Sequence, residues 1–184
     1  MKPIISCTFF DLETIANYLK TNKFAAIVET DTVMGIISLN ANLIYECKNR
    51  PREKQLILFI SNLNEIHDLN EIEKRVLKEY WPGKLTIIKN KKSYRIPNHK
   101  QLLKLISLTG PIYSSSANLS GAEPVNDINE AKKVFSEQSQ KIIFVDGKRL
   151  STNPSTIIDL DNFKVIRNGI IDGNEVLNKI KEGK

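Results

Sequence analysis

Histidine and cysteine are scarce, two of each in 184 residues. Cys7 and Cys47 match no zinc or redox spacing, and in a reducing compartment they are expected to be buried thiols rather than a disulfide. His67 and His99 sit in unlike contexts, so neither a histidine-based metal site nor a Ser-His-Asp triad has enough parts. His99 follows a Pro-Asn turn and reads as a helix-start residue. Glycine is sparse too, eight in all. None of these glycines builds a phosphate loop or a dinucleotide fingerprint: Gly83-Lys84 is followed by Leu85 and lacks the upstream glycine. No apolar run approaches the roughly 20 residues of a membrane span. The start, MKPIISCTFFDLET, has too short an apolar run and acidic residues too early for a secretory signal. These absences lead to the expectation of a cytoplasmic protein, without membrane attachment, whose chemistry uses no side-chain nucleophile.

Charge is present and unevenly placed. The net charge is +6. Lys48 to Lys104 holds 14 Lys/Arg against 6 Asp/Glu, leaving 13 against 15 elsewhere. A local basic excess suits an anionic partner, a nucleotide or an RNA backbone, and equally suits a solvated surface with no partner. The length fits one domain, residues 1–184.

Hydrophobic periodicity alternates between helix and strand. Asp11 stands where it could cap a helix to about Asn22, with Leu12, Ile15, Tyr18 and Leu19 at helical spacing. FAAIVE and GIISL read as buried strands flanking TDT, and NLIYECKNR as a helix ending before Pro51. LILFI, LTIIK, the start of IYSSS, KIIFV, STIID and KVIR follow as strands. EIEKRVLKEY, HKQLLKLISL, INEAKKVFSE and GNEVLNKIKE follow as helices. The short link between STIID and KVIR requires antiparallel pairing, so the sheet is mixed and the class α/β (α+β).

Polar residues interrupt this pattern at a few places. GPIYSSSANLSG, Gly110 to Gly121, gathers four serines and an asparagine, which alone reads as a hydrogen-bonded turn. Thr30 to Thr32 breaks two apolar strands, where an inward hydroxyl must be paired or cost roughly 1 to 3 kcal/mol. Lys48 and Arg50 straddle Asn49 before a proline, with Arg52 and Lys54 beyond. Side chains two apart converge on one ligand only if the helix has already ended. Arg95 precedes Ile96-Pro97 in an extended segment, and Arg167 closes a strand. Each of these cations also reads as ordinary surface charge.

Taken in order, ETDTVMGI, YECKNRPREKQLILFI, YWPGKLTII, YRIPNH, GPIYSSSANLSG, NPSTIIDL and VIRNG resemble the YrdC family of threonylcarbamoyl-adenylate synthases, over about Phe24 to Gly169. The resemblance implies a YrdC-like domain, a twisted mixed sheet flanked by helices with a concave basic ligand-binding face. It also implies a reaction: L-threonine and bicarbonate or CO2 give a carbamate that attacks the α-phosphate of ATP, releasing pyrophosphate. The product would feed a downstream threonylcarbamoyl transferase complex acting on tRNA beside the anticodon, and direct tRNA contact is a further candidate. Magnesium is expected with ATP, and no protein metal ligands are assigned. By family correspondence Lys48, Arg50, Ser116 and Asn118 are the catalytic group. Arg50, Lys54, Ser114, Ser116, Asn118 and Arg167 are assigned to ATP, and Thr30, Thr32, Arg95 and Ser155 to threonine, with the Arg95 fork on the carboxylate. Family members usually have proline at Glu29 and tyrosine at Met34, so a different wall is expected around Thr30 to Thr32. Relatives often carry proline at Gln55 and histidine at Phe59.

The competing reading is a non-catalytic double-stranded RNA- or tRNA-binding YrdC-like protein, carried by the basic central third. Few aromatics support it: the chain is 7% aromatic, and most of these residues lie in apolar runs rather than where bases would stack.

Overall fold

The computed structural model describes residues 5–8 and 11–183. Among the described residues ten strands join in one sheet: β1 (Ile5–Cys7), β2 (Ala25–Val28), β3 (Gly35–Ser38), β4 (Ile57–Phe59), β5 (Leu85–Lys89), β6 (Lys92–Arg95), β7 (Ile112–Ser116), β8 (Ile142–Val145), β9 (Thr156–Asp159) and β10 (Lys164–Arg167). Their order is β1-β8-β2-β3-β7-β4-β6-β5-β9-β10. Pairing is mixed, as expected: β2 is antiparallel to β3 and parallel to β8, and β9 and β10 are antiparallel.

The helices are α1 (Leu12–Lys20), α2 (Ala41–Lys48), α3 (Glu71–Tyr80), α4 (Lys100–Thr109), α5 (Ile128–Val134) and α6 (Gly173–Glu182). On the front of the sheet α1 and α4 pack their apolar stripes on Ala26, Val28, Ile37 and Ile112. On the back, α2 and α5 cover Ile27 and Ile36, while α3 and α6 cover Ile87 and Ile158. Each fully buried large aliphatic residue stabilises by about 1.5 to 3 kcal/mol relative to exposure. The front face beyond α4 carries no such apolar cover and becomes the site.

Two expectations change at the N-terminal end. β1 was not foreseen and pairs in parallel with β8. The Asp11 carboxylate accepts from Thr8 N and Oγ1, at 3.2 and 3.0 Å, instead of capping α1 forward. His99 does cap α4, its Nδ1 accepting from Leu102 N at 3.2 Å, and Gly110 ends that helix at φ +81°, a conformation that favours glycine. Among the described residues no helix is long and apolar enough to cross a membrane.

Candidate active site

Side chains alternate across a strand, so the residues of β4, β6 and β7 that face the front are Ile57 and Phe59, Ser93 and Arg95, Ser114 and Ser116. With the Thr30–Gly35 turn and the segment from Arg149 to Ser155 they enclose a cavity of about 450 Å3. Gly35 lies on its wall, where an added Cβ would stand 3.0 Å from the Thr30 methyl, so close approach favours glycine here. Of the residues assigned from the sequence, Thr30, Thr32, Arg50, Arg95, Ser114, Ser116, Ser155 and Arg167 all line this one cavity.

Lys48, Asn118 and Lys54 do not. α2 ends at Lys48, and Asn49 turns left-handed at φ 49°, so Lys48 and Arg50 diverge rather than meet on one ligand. Lys48 is fully buried. Its Nζ donates to the Ser116 carbonyl, to the Asn118 carbonyl at 2.6 Å and to Asn118 Oδ1 at 3.2 Å. In return Ser120 N donates to the Lys48 carbonyl at 2.9 Å. Burial first, and then the Arg50 charge, push the Lys48 ammonium down to about 7. The Asn118 amide is equally committed: Oδ1 accepts from Ser116 Oγ at 2.5 Å, and Nδ2 donates to the Leu119 and Ala122 carbonyls at 2.7 and 2.9 Å. These two residues organise the serine loop from behind the wall. The Lys54 side chain is exposed, and its contribution is its carbonyl, which accepts from Arg50 Nε at 3.1 Å.

Arg95 faces the cavity with most of its donors in use. Nη2 donates to Asp31 Oδ1 at 2.6 Å, Nη1 to Thr32 Oγ1 at 3.1 Å and Nε to the Gly83 carbonyl at 2.8 Å. One hydrogen on each terminal nitrogen is left for a ligand. Desolvation lowers the Arg95 pKa and the adjacent Asp31 carboxylate opposes it. For Arg167 the lowering comes from burial and then from Arg95, the electrostatic cost of gathering cations around one cavity.

The two threonines have a defined hydrogen-bond polarity. Thr30 Oγ1 donates to the Val33 carbonyl at 2.7 Å and accepts from Thr32 N at 3.1 Å. With that proton committed, the 3.1 Å contact between the hydroxyls has Thr32 donating. Thr32 Oγ1 therefore donates to Thr30, accepts from Arg95, and keeps a lone pair to accept from a ligand donor. Ser155 Oγ pairs with Thr86 Oγ1 at 2.9 Å, and its carbonyl accepts from Arg167 Nη2 at 2.8 Å.

Sequence reasoning missed Asp31, Arg149 and Glu123. Arg149 and Glu123 line the cavity. Arg149 Nε and Nη2 donate to the Ser151 and Thr152 carbonyls at 2.9 Å, fixing the segment while Nη1 is left over. Glu123 is the one carboxylate among the lining residues, and no cluster of three or more His, Cys, Asp and Glu exists among the described residues. The departures from the family pattern also sort by position. Met34 is buried in the back-face cluster under α2 and α5, away from the cavity. Glu29 reaches His99 Nε2 at 3.2 Å and Lys148 N at 3.1 Å, whereas Gln55 and Phe59 line the cavity.

A cavity of about 450 Å3 on the front face of a mixed sheet, with four arginines among its lining residues, defines an α/β domain with a cationic pocket. The chain belongs to the Sua5/YciO/YrdC family, whose model, described as "Telomere recombination", matches residues 17–169. "Uncharacterized protein MG259" of Mycoplasma genitalium is 33% identical over 158 residues, 84% of this chain and 34% of that protein. This chain spans about a third of the length of the first curated relatives it matches. "Threonylcarbamoyl-AMP synthase" of Wigglesworthia glossinidia brevipalpis is 30% identical, covering 88% of this chain and 95% of that one. The crystal structure of Pyrococcus abyssi Sua5 complexed with L-threonine superposes with a TM-score of 0.82 at 25% identity, covering 98% of this chain and 62% of that one.

Proposed function

We propose that this chain is a threonylcarbamoyl-AMP synthase, a nucleotidyl-transferring enzyme that supplies an activated threonylcarbamoyl group for tRNA modification. The observation that carries the reading is that the threonine-assigned wall (Thr30, Thr32, Arg95, Ser155) and the nucleotide-assigned wall (Arg50, Ser114, Ser116, Arg167) line one cavity. A likeness to a Sua5 structure holding L-threonine supports it.

In this reading the threonine nitrogen bonds to the carbon of CO2 and loses a proton, giving a carbamate. A carbamate oxygen then bonds to the α-phosphorus of ATP as the bond to the β,γ-pyrophosphate breaks. Negative charge develops on phosphate oxygens, so catalysis is positioning plus fixed cations and donors. Arg50 and Arg167 supply charge on the nucleotide side, joined by Arg149. The Thr32 lone pair accepts from the amino acid's hydroxyl or amine, and the two remaining Arg95 hydrogens meet its carboxylate. Lys48 and Asn118 act by holding the Ser116 loop. Magnesium would arrive on the triphosphate with its own waters, screening phosphate charge, with Glu123 the one lining carboxylate available to it.

Incubation with ATP, bicarbonate and L-threonine should release pyrophosphate only when threonine is present. Equal release with serine or with no amino acid would remove the substrate assignment.

A further inference from the structure

The strands that build the cavity carry a second hollow on their reverse side. Where Ile57, Ser93 and Ser114 face the front, Leu58 and Tyr113 face the back. The back is clothed in two wings, α2 with α5 and α3 with α6. Between them Tyr113 remains 37% exposed, although β7 is the fifth of ten strands. A crevice of about 200 Å3 opens there, walled by Leu58 and Tyr113 of the sheet, Ala41 and Tyr45 of α2, Lys91 of the β5–β6 turn and Lys92 at the start of β6. Gln55 and Ser93 line both hollows and partition them, Ser93 Oγ donating to Gln55 Oε1 at 3.0 Å.

The chemistry of this crevice is specific. Two tyrosines wall it, and the Arg52 guanidinium sits 5.2 Å from the centre of the Tyr45 ring. Lys91 and Lys92 are exposed, and no ion pair among the described residues neutralises either. The turn that positions them is fixed: Asp161 accepts from the main-chain nitrogens of Asn90 and Lys91, at 2.9 Å each, and the Lys91 carbonyl accepts from Gln55 Nε2 at 3.0 Å. The volume is below the roughly 300 to 1,000 Å3 of a typical small-molecule site, enough for one planar ring with the remainder of the ligand outside. A ring that stacks on tyrosine and an anion that meets paired lysines at the rim occur together in a nucleotide.

We propose that this back crevice binds a single nucleobase bearing a phosphate, at a site separate from the front cavity and independent of the reaction assigned to it. The ligand is either an unpaired nucleotide of an RNA strand or a free mononucleotide.

The test is fluorescence anisotropy with a labelled single-stranded hexaadenylate, on the full chain and on variants whose fold is checked by circular dichroism. Tyr113→Ala should weaken binding about 5- to 150-fold, the range for loss of one base–aromatic stack. The double variant Lys91→Glu/Lys92→Glu should also weaken it and should reduce the log–log salt slope by about 1.4, two single-strand phosphate contacts. This second variant decides the matter should Tyr113→Ala misfold. Arg167→Ala, at a residue that lines the front cavity and touches no wall of the crevice, should leave affinity unchanged. Displacement of the oligonucleotide by AMP in the Arg167→Ala background would identify a mononucleotide site, and failure of AMP to compete would identify a strand site. Absence of binding, binding unaffected by the Tyr113 and lysine changes, or binding abolished by Arg167→Ala would overturn the proposal.

Discussion

Lys48 meets Asn118 twice, its ammonium 2.6 Å from the main-chain carbonyl and 3.2 Å from Oδ1, with the lysine wholly inside the protein. The end of α2 and the serine loop are thereby one mechanical unit, and the Ser116 hydroxyl points where that unit directs it.

Lys48→Met should therefore lower stability by about 1 to 3 kcal/mol, because the buried Asn118 carbonyl loses its donor, while the Ser116 carbonyl keeps Asn118 N and Asn118 Oδ1 keeps the Ser116 hydroxyl, and should reduce pyrophosphate release even where the fold survives. Lys54→Ala, at an exposed side chain away from the cavity, should change the urea midpoint little and alter ATP affinity less than Arg50→Ala does. Urea titration and steady-state kinetics on the three variants check this.

The same lysine predicts a pH dependence. In the fold it titrates near 7 rather than at the ordinary 10.5. Between these values the unfolded chain holds a proton that the folded chain has released, so stability rises with pH through that interval. Above about pH 9 the buried Cys47 thiol, pushed up to about 11 mainly by desolvation, acts the other way. The usable window is therefore about pH 7 to 8.5. The urea midpoint of the wild type should climb across it and that of Lys48→Met should stay flat. Parallel curves for the two proteins would contradict the assignment.

Asp31 and Arg95 form a buried ion pair at 2.6 Å, and Asp31 Oδ2 also accepts from Asn98 N at 3.0 Å. Removing one member leaves an uncompensated buried charge. Asp31→Ala should cost about 3 to 5 kcal/mol, and Asp31→Ala/Arg95→Met should recover part of that loss in chemical denaturation.

Thr32→Val keeps the shape of the wall and deletes its free acceptor. KM for threonine should rise roughly 10- to 150-fold, the worth of about 1.5 to 3 kcal/mol for a hydrogen bond to a charged group, with KM for ATP much less affected.

Arg149→Ala should raise KM for ATP, since Nη1 is the donor that the Ser151 and Thr152 carbonyls leave over. Arg149→Lys should rescue it incompletely, lacking the fork that holds the segment.

The fold was largely legible because its signals are local. EIEKRVLKEY and GNEVLNKIKE are α3 and α6 to the residue, and β2, β3, β8, β9 and β10 each fall within the apolar runs expected to form them. β1 was missed because its pattern is short and its partner, β8, lies far along the chain. β6 was seen only as an extended segment because KSYR has polar and charged residues facing a cavity rather than an apolar layer. For the site, ordered motifs identified which residues gather but not how each is used. Nothing local in YECKNRP distinguishes a lysine that enters the protein from one that faces a ligand. Asn49 in the left-handed conformation decides it, turning Arg50 out and leaving Lys48 in. Arg149 was invisible because its position depends on a tertiary strap, Ser151 N to the Thr32 carbonyl at 3.0 Å. Tyr113, on a central strand, is exposed because the helices on that face stand apart, a tertiary arrangement that nothing local in IYSSS records.

Because β4, β6 and β7 show one side to the cavity and the other to the crevice, inserting or deleting a single residue within them would exchange the two linings wholesale. Length changes in this lineage should then be confined to the Asn90-Lys91 turn and similar tips, while the three strands hold their residue count even where their composition drifts.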